Sequence, residues 1–270
     1  MTGDRPPRTP LRNVVSRIVP RRADGELIEA RLPLPARSRP AAQIPYVPRD
    51  HARQADPRYY VDEVMTAPDA PSTVVDLGCG NGRSAAWFRR WRPDVEWIGV
   101  DLEASDLARG IEGERVVLYD GVHLPFADDS VPLVFSNQTF EHVRYPDALF
   151  AQIRRVLVPD GLFIGSVSQM EPYHAESMWG GYTPYGWEAL CRDAGLDLEE
   201  VRPSIDAIAL IMRKYTPPPP DKELWVSSPL NEEIDRWAAE TKAGAYATNM
   251  RKLEFAGQFL FKARKPSMPG

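Results

Sequence analysis

The sequence predicts an α/β fold built on a doubly wound, mostly parallel sheet, and three observations carry that expectation. Short β-branched runs alternate with helical stretches from about residue 56 onward, the pattern of strands joined by helical crossovers. The first run, Val74–Leu77 in "VVDLGCGNG", enters three glycines at alternate positions and then a helical stretch. An acid, Asp101, ends the second run. At 270 residues the chain has room for one such domain with a full core and additions.

The elements follow in order. "DPRYYVDEVMTA" (Asp56 to Ala67) reads as a helix leading into the domain. Val74–Leu77 is a short apolar run bounded by glycine, hence a buried strand, and "NGRSAAWFRRW" has helical composition and spacing. "VEWIGVDL" (Val95 to Leu102), "RVVLYD" (Arg115 to Asp120) and "VPLVFSNQ" (Val131 to Gln138) are the next three strands. "PDALFAQIRRVL" places Leu149, Ile153 and Val156 on one helical face. "GLFIGSVS" is a fifth strand, and "PYGWEALCRDAG" a helix that Gly195 ends from the C′ position. Beyond Val201 the pattern loosens: "IDAIALIMRKY" suits strand or helix, "TPPPP" is a stiff connector, and "SPLNEEIDRWAAETK" is a capped helix. "KLEFAGQFLFKARK" reads as a final strand, and no internal repeat is present. These readings divide the chain into a Pro/Arg-rich arm (1–55), a catalytic-type domain (56–265) with an insertion at about 203–250, and a tail (266–270).

Composition narrows the classes. The hydrophobic share is 43%, and no apolar run reaches the roughly 18 residues of a membrane span. Cys79 and Cys191 are too few for a disulfide framework and fit no zinc spacing, so a reducing, cytoplasmic compartment is expected and no metal site is read. The net charge of −5 hides an asymmetry, because residues 1–55 hold 11 arginines, no lysine and 5 acids. The remaining body is therefore acidic, which argues against a nucleic-acid surface there. The basic head is expected as a solvated arm or a wrap across the domain, with weak membrane-surface contact around "LRNVVSRIVPRR" as the alternative. It lacks the apolar core of a secretory signal.

A glycine-rich turn between a buried strand and a helix brings backbone amides close to a ligand's polar end. A P-loop would need a lysine and Ser/Thr after its glycines, and the dinucleotide fingerprint needs one residue more than Gly78-x-Gly80-x-Gly82 supplies. Asp101 lies 19 residues past Gly82, where a carboxylate suits two neighbouring ribose hydroxyls. The loop therefore suits a nucleoside with a small zwitterionic group.

"VVDLGCGNG" resembles the first motif of class I S-adenosylmethionine-dependent methyltransferases. "IGVDL", "LYDGVHLPFADDSVPLVFSNQTFEHV" and "VLVPDGLFIGSV" resemble that family's later motifs in the same order. The resemblance runs from about Thr73 to Val201 and returns in "GQFLFKARK". It implies a Rossmann-like sheet of seven strands with an antiparallel last strand, and S-adenosyl-L-methionine as cofactor. By position it implies that Gly78 and Gly80, with Cys79 and Gly82 in the same loop, approach the methionine and ribose portions. Asp76 would organise the loop and the amino group, Asp101 would hold the ribose, and Leu102 would lie against adenine. Asp120 would face the exocyclic amine (or be a strand-end turn residue), Gly121 would offer a backbone contact, and Asn137 would sit near the sulfonium. The family usually has an aspartate where this chain has Pro132, which leaves the exact start of the fourth strand open.

Methyl transfer from a sulfonium asks the protein mainly for alignment, and a hydroxyl acceptor also needs a base. Of four histidines, His51 and His123 are read as bystanders. His142, just past the fourth strand, is the first candidate base, with a helix-capping role as its alternative; Glu141 would orient it or bind substrate. His174 is the second. "EPYHAESMWGGYTPYGW" has the composition of an aromatic lid, in which Tyr173 and Tyr182 are candidate substrate contacts, or of a helix-packing segment with Trp187 in the core. It resembles a segment of methyltransferases associated with glycan or secondary-metabolite assembly, except that Gly181 stands where those carry an arginine. The expected activity is O-methylation of a small polar molecule or sugar. A protein or RNA methyltransferase and a non-catalytic cofactor-binding subunit are the alternatives, with a nicotinamide oxidoreductase behind them.

Overall fold

The computed structural model describes residues 44–214 and 224–267. The expectations for residues 1–43, "TPPPP" and the last three residues lie outside the described residues. The chain runs α1 (Tyr59–Met65), β1 (Thr73–Leu77), α2 (Ala85–Arg89), β2 (Glu96–Leu102), α3 (Asp106–Arg109), β3 (Arg115–Tyr119) and β4 (Val131–Asn137). A 3-10 turn at Phe140–His142 leads to α4 (Pro146–Val156), β5 (Leu157–Ser168), α5 (Pro184–Asp193) and β6 (Asp197–Pro203). Then come α6 (Ala207–Arg213), α7 (Pro229–Thr241), α8 (Ala245–Glu254) and β7 (Gln258–Arg264).

Seven strands lie in the order β3-β2-β1-β4-β5-β7-β6. All neighbours are parallel except β7, which is antiparallel to both β5 and β6. The strand runs read as near-continuous apolar sequence because both faces are covered. On one face Val75, Leu77, Ile98 and Val100 pack with Leu149, Ile153 and Val156 of α4 and Trp187 of α5. On the other, Val74, Trp97, Phe135 and Ile164 pack with Val61 and Val64 of α1 and Phe88 of α2. Trp187 is the aromatic centre of the first layer, its ring 4.5 Å from Phe261 and 5.0 Å from both Phe140 and Phe150. Full burial of each such Val, Leu, Ile or Phe side chain contributes about 1.5–3 kcal/mol.

Several sequence ambiguities resolve physically. Pro132 lies inside β4, and the register against β5 shifts between Val131 and Leu133, because proline has no N–H to give the ladder. "IDAIALIMRKY" is helical: buried Asp206 caps α6 through Ala209 N (2.7 Å) and also accepts from Leu230 N at the start of α7 (3.0 Å). "KLEFAGQFLFKARK", expected as one strand, divides at the end of α8. Lys252 is fully buried in helical register, where its Nζ donates to Ala52 O (2.7 Å) and pairs with Asp235. The strand starts only at Gln258.

Residues 44–55, assigned by composition to the arm, are built into the domain. Ile44, Tyr46 and Val47 enter the core. Arg202, itself buried, pairs with Asp50 (2.8 Å), and Asn249 Nδ2 donates to His51 O (2.8 Å). Gln54 binds Leu224 O, Trp225 O and Ser228, tying the segment after the connector to the same edge.

Candidate functional site

The strand order reverses between β1 and β4, the place where open α/β sheets bind ligands at the carboxyl ends of their strands. Gly78 leaves β1 there, and its N–H donates to Val100 O on β2 (2.7 Å). Gly78 and Gly80 both hold positive φ, +75° and +53°. A side chain on Gly78 would strike Thr139, whereas one on Gly80 would meet nothing within 4 Å. The Gly80 face is therefore an open cradle.

Two cavities meet at this loop. One, about 480 Å³, is lined by Gly78, Asp101, Leu102, Asp120, Gly121 and His142, among others. The second, about 590 Å³, runs past Asp76, Cys79, Gly80, Asn137 and Trp225. Gly78 and Gln138 line both. Of the expected cofactor residues, only Gly82 lines neither cavity; a Cβ there would face Ile111.

Each carboxylate has a distinct environment. Asp101 Oδ2 accepts from Gly80 N (2.8 Å) and Oδ1 from Leu102 N (2.8 Å), so the acid after the second strand also shapes the glycine loop. Asp120 accepts from Val122 N (2.9 Å), His123 N (2.7 Å) and the His123 ring (2.7 Å). The His123 ring and these amides hold its carboxyl far below the usual range. Asp120 thus combines the turn role with a place in the cavity wall, and His123, read as a bystander, is its partner. Asp76 is buried and accepts from Ser84 Oγ, which Trp97 Nε1 holds in turn (3.1 Å). Burial pushes its carboxyl up to about 7 against these hydrogen bonds, with the Asp101 charge adding to the rise.

Beyond β4 the structure assembles a cluster with no continuous sequence signature. His142 Nε2 lies 3.2 Å from His174 Nε2, 32 residues away in sequence. Glu141 is fully buried beneath them, and burial raises its carboxyl to about 7. The His142 ring is pushed down, by burial first and then by His174. Gln138, at φ +54°, is satisfied with its amide nitrogen toward Glu141 Oε1 (3.3 Å) and Glu171 Oε2 (3.2 Å). Sequence reading passed over it, although it is the first residue past a strand end at the ligand edge. His142 therefore stands as one half of a pair rather than as a lone base.

The lid residues separate. Tyr182 packs on Trp187 at 5.4 Å and its hydroxyl donates to Phe140 O (3.2 Å), so it serves the core and lines neither cavity. Tyr173 is 70% exposed and also lines neither. Position 181 has no room for an arginine, since a Cβ would stand 2.4 Å from Gln169 O. A different cation occupies the mouth: Arg144 lies between the rings of Tyr145 (5.3 Å) and Trp179 (5.2 Å). No helix among the described residues is long and apolar enough to cross a membrane.

Residues 75–165 match a family described as a methyltransferase domain. An uncharacterized methyltransferase of Mycobacterium sp. (strain KMS) is 38% identical over 95 residues, 34% of this chain and 37% of that protein. The malonyl-acyl-carrier-protein O-methyltransferase of Geobacter sulfurreducens is 38% identical over 100 residues, again 34% and 37% of the two chains. The chain thus spans little more than a third of the length of these curated relatives. A Bacillus halodurans structure assigned as a methyltransferase has a TM-score of 0.50 at 16% identity, covering 78% of this chain and 99% of that one. The cyclase SpnF has the same score at 17% identity, covering 83% and 89%, and both likenesses are of fold.

Proposed function

We propose, from the premise that this chain carries a class I methyltransferase domain, that it binds S-adenosyl-L-methionine across the two joined cavities and methylates oxygen on a small polar acceptor. The observation that carries the reading is the pair of adjoining cavities, one lined by Leu102 and Asp120 and the other by Gly80 and buried Asp76, which share Gly78 and Gln138 as lining. A nucleoside end fits beside Asp101 and Leu102, and an ammonium end fits near Asp76, whose raised carboxyl is relieved by a cation. Asp120 and Gly121 close the adenine side, and Asn137, held by Ser166 Oγ (2.6 Å), faces the junction from β4. When bound, the cofactor supplies a methyl group on a positively charged sulfur.

The chain's own task is then alignment of the acceptor. His142 lines the first cavity beside Arg144 and Trp179, so the acceptor enters from that side. There the His142–His174–Glu141 group handles its proton, and Arg144, with no carboxylate partner among the described residues, meets an anionic or hydroxyl-rich portion. The O-methyltransferase relatives support an oxygen acceptor. Screening carboxylate, sugar and phenolic acceptors for S-adenosylhomocysteine release tests the reading; a protein that neither binds that product nor releases it with any acceptor would refute it.

Two results are expected on the cofactor side. Asp101→Ala removes both the ribose partner and the anchor of Gly80 N, and should weaken S-adenosylhomocysteine binding by about 1–3 kcal/mol in calorimetry. Unchanged affinity would take Asp101 out of the site. Affinity should also rise between about pH 6 and pH 7.5 as Asp76 ionises through about 7, and Asp76→Asn should flatten that rise. The sign for folding is opposite. The folded pKa lies above the unfolded value near 3.8, so the ligand-free protein keeps a proton the unfolded chain has lost. That contribution to stability is complete below about pH 4 and is lost as pH climbs toward 7.

A further inference from the structure

The cluster past β4 has features that proton handling does not require, and a cation held there would occupy the imidazole nitrogens that take the acceptor's proton in its absence. His174 Nδ1 lies 3.0 Å from Pro172 O, a carbonyl that can only accept, so this nitrogen carries the hydrogen in the neutral ring. Its Nε2 therefore presents a lone pair, and it lies 3.2 Å from His142 Nε2. Two nitrogens bound to one tetrahedral zinc at about 2.05 Å stand about 3.3 Å apart, and at cis positions of an octahedron about 2.9 Å. The observed separation falls between these values. Beneath the pair, Glu141 Oε2 is sealed from solvent with no hydrogen-bond partner. A Glu141 carboxylate oxygen and one ring nitrogen of each histidine lie within 4.8 Å of one another. A buried, unpaired carboxylate oxygen is costly, and a cation removes that cost.

We infer that Glu141, His142 and His174 form a binding site for a divalent transition-metal cation, of the Zn2+, Co2+ or Mn2+ class. Two imidazoles and one carboxylate favour these ions over Mg2+, which prefers oxygen ligands alone. The surroundings suit ligand duty. Pro172 O orients the His174 ring, as carbonyl partners orient ligating histidines, and the amide nitrogen of Gln138 braces Glu141. Three protein ligands leave open positions, and His142 also lines the first cavity, so water or an acceptor oxygen can complete the shell from that side. The cation also ties the segment around His174 to the turn after β4. That segment carries Ser177 and Trp179, two residues of the cavity wall. The sequence offers no ligand spacing for this site, because its members come from two separate segments.

The inference goes beyond methyl transfer, and its test needs neither cofactor nor acceptor. The chelator-stripped full chain is titrated calorimetrically with ZnCl2, and with CoCl2 in the visible region. One cation per chain is expected, with cobalt absorption typical of nitrogen and oxygen ligands. His174→Ala should bind more than about 100-fold more weakly, beyond the loss seen for outer-shell changes. Glu141→Gln keeps shape and should lose affinity likewise. Zinc should protect the Glu171–Trp179 segment from proteolysis in the wild type but not in His174→Ala. Absence of a stoichiometric cation in the wild type, or equal affinity in His174→Ala, overturns the site and shows a plain histidine–histidine hydrogen bond. Separate titration with S-adenosylhomocysteine tells that outcome apart from failure of the methyltransferase reading.

Discussion

Gly165→Ala is expected to lower the stability of the fold by about 3 kcal/mol or more, the scale of overpacking with no route of escape. Gly165 lies in the last third of β5, paired with Ser136 on β4 and Phe261 on β7. A Cβ there would stand 1.7 Å from Ser136 O, which is backbone and cannot rotate away. Relief requires β4 and β5 to separate, and the disturbance spreads. Ser136 Oγ donates to Leu77 O on β1 (2.9 Å), and Gln138 N donates to Ser166 O (3.0 Å). The same movement would open the carboxyl edge where the cavities meet. Gly180, whose Cβ would meet nothing within 4 Å, provides the control: Gly180→Ala should stay within about 0.5 kcal/mol. Urea unfolding of the two variants decides it, and coincident midpoints would show that the tight β4–β5 approach is not needed.

The second large effect is on cofactor binding. Gly78→Ala should weaken S-adenosylhomocysteine binding by more than about 100-fold, roughly 2.7 kcal/mol. Two conflicts combine. The left-handed backbone at φ +75° costs an L-residue about 1–2 kcal/mol. The new Cβ would also lie 2.2 Å from Thr139 Oγ1 and 2.7 Å from Thr139 Cβ, too close to the root of a short side chain for rotation to relieve. The loop would shift off Val100 O and close the junction between the cavities. Gly80→Ala shares the backbone cost without the collision, so the ligand-free fold should tolerate it better. Pairing Gly78→Ala with Thr139→Gly should recover part of the affinity, because the clash goes and the dihedral cost stays. Full affinity in the single variant would remove Gly78 from the cofactor path.

Much of this candidate site is legible in local sequence. The glycine loop, Asp101 and the strand ends of β3 and β4 lie in single short segments whose chemistry and backbone demands are local. A positive φ asks for glycine, and a buried parallel strand asks for a β-branched run, so residue type reports conformation directly. The same locality misled where two elements shared one apolar stretch. "KLEFAGQFLFKARK" looks uniformly strand-like, but Lys252 sits in a helix held by Ala52, 200 residues away, and Asp235, 17 residues away. Residues 44–55 look like arm by composition, yet Arg202 and Asn249 hold them from the other end of the chain.

What the residues determined alone was the sheet, its two covered faces and the bare glycine turn at the end of the first strand, since periodicity and missing side chains act over a few bonds. What only the folded chain decided was which polar groups would meet past β4. Glu141, Gln138, His142 and His174 acquire their character from one another and from exclusion of water, and neither pairing across 32 residues nor burial of a carboxylate is written in any local run. Arg144 between two rings is the same case: its environment exists only once Tyr145 and Trp179 are brought to the same mouth.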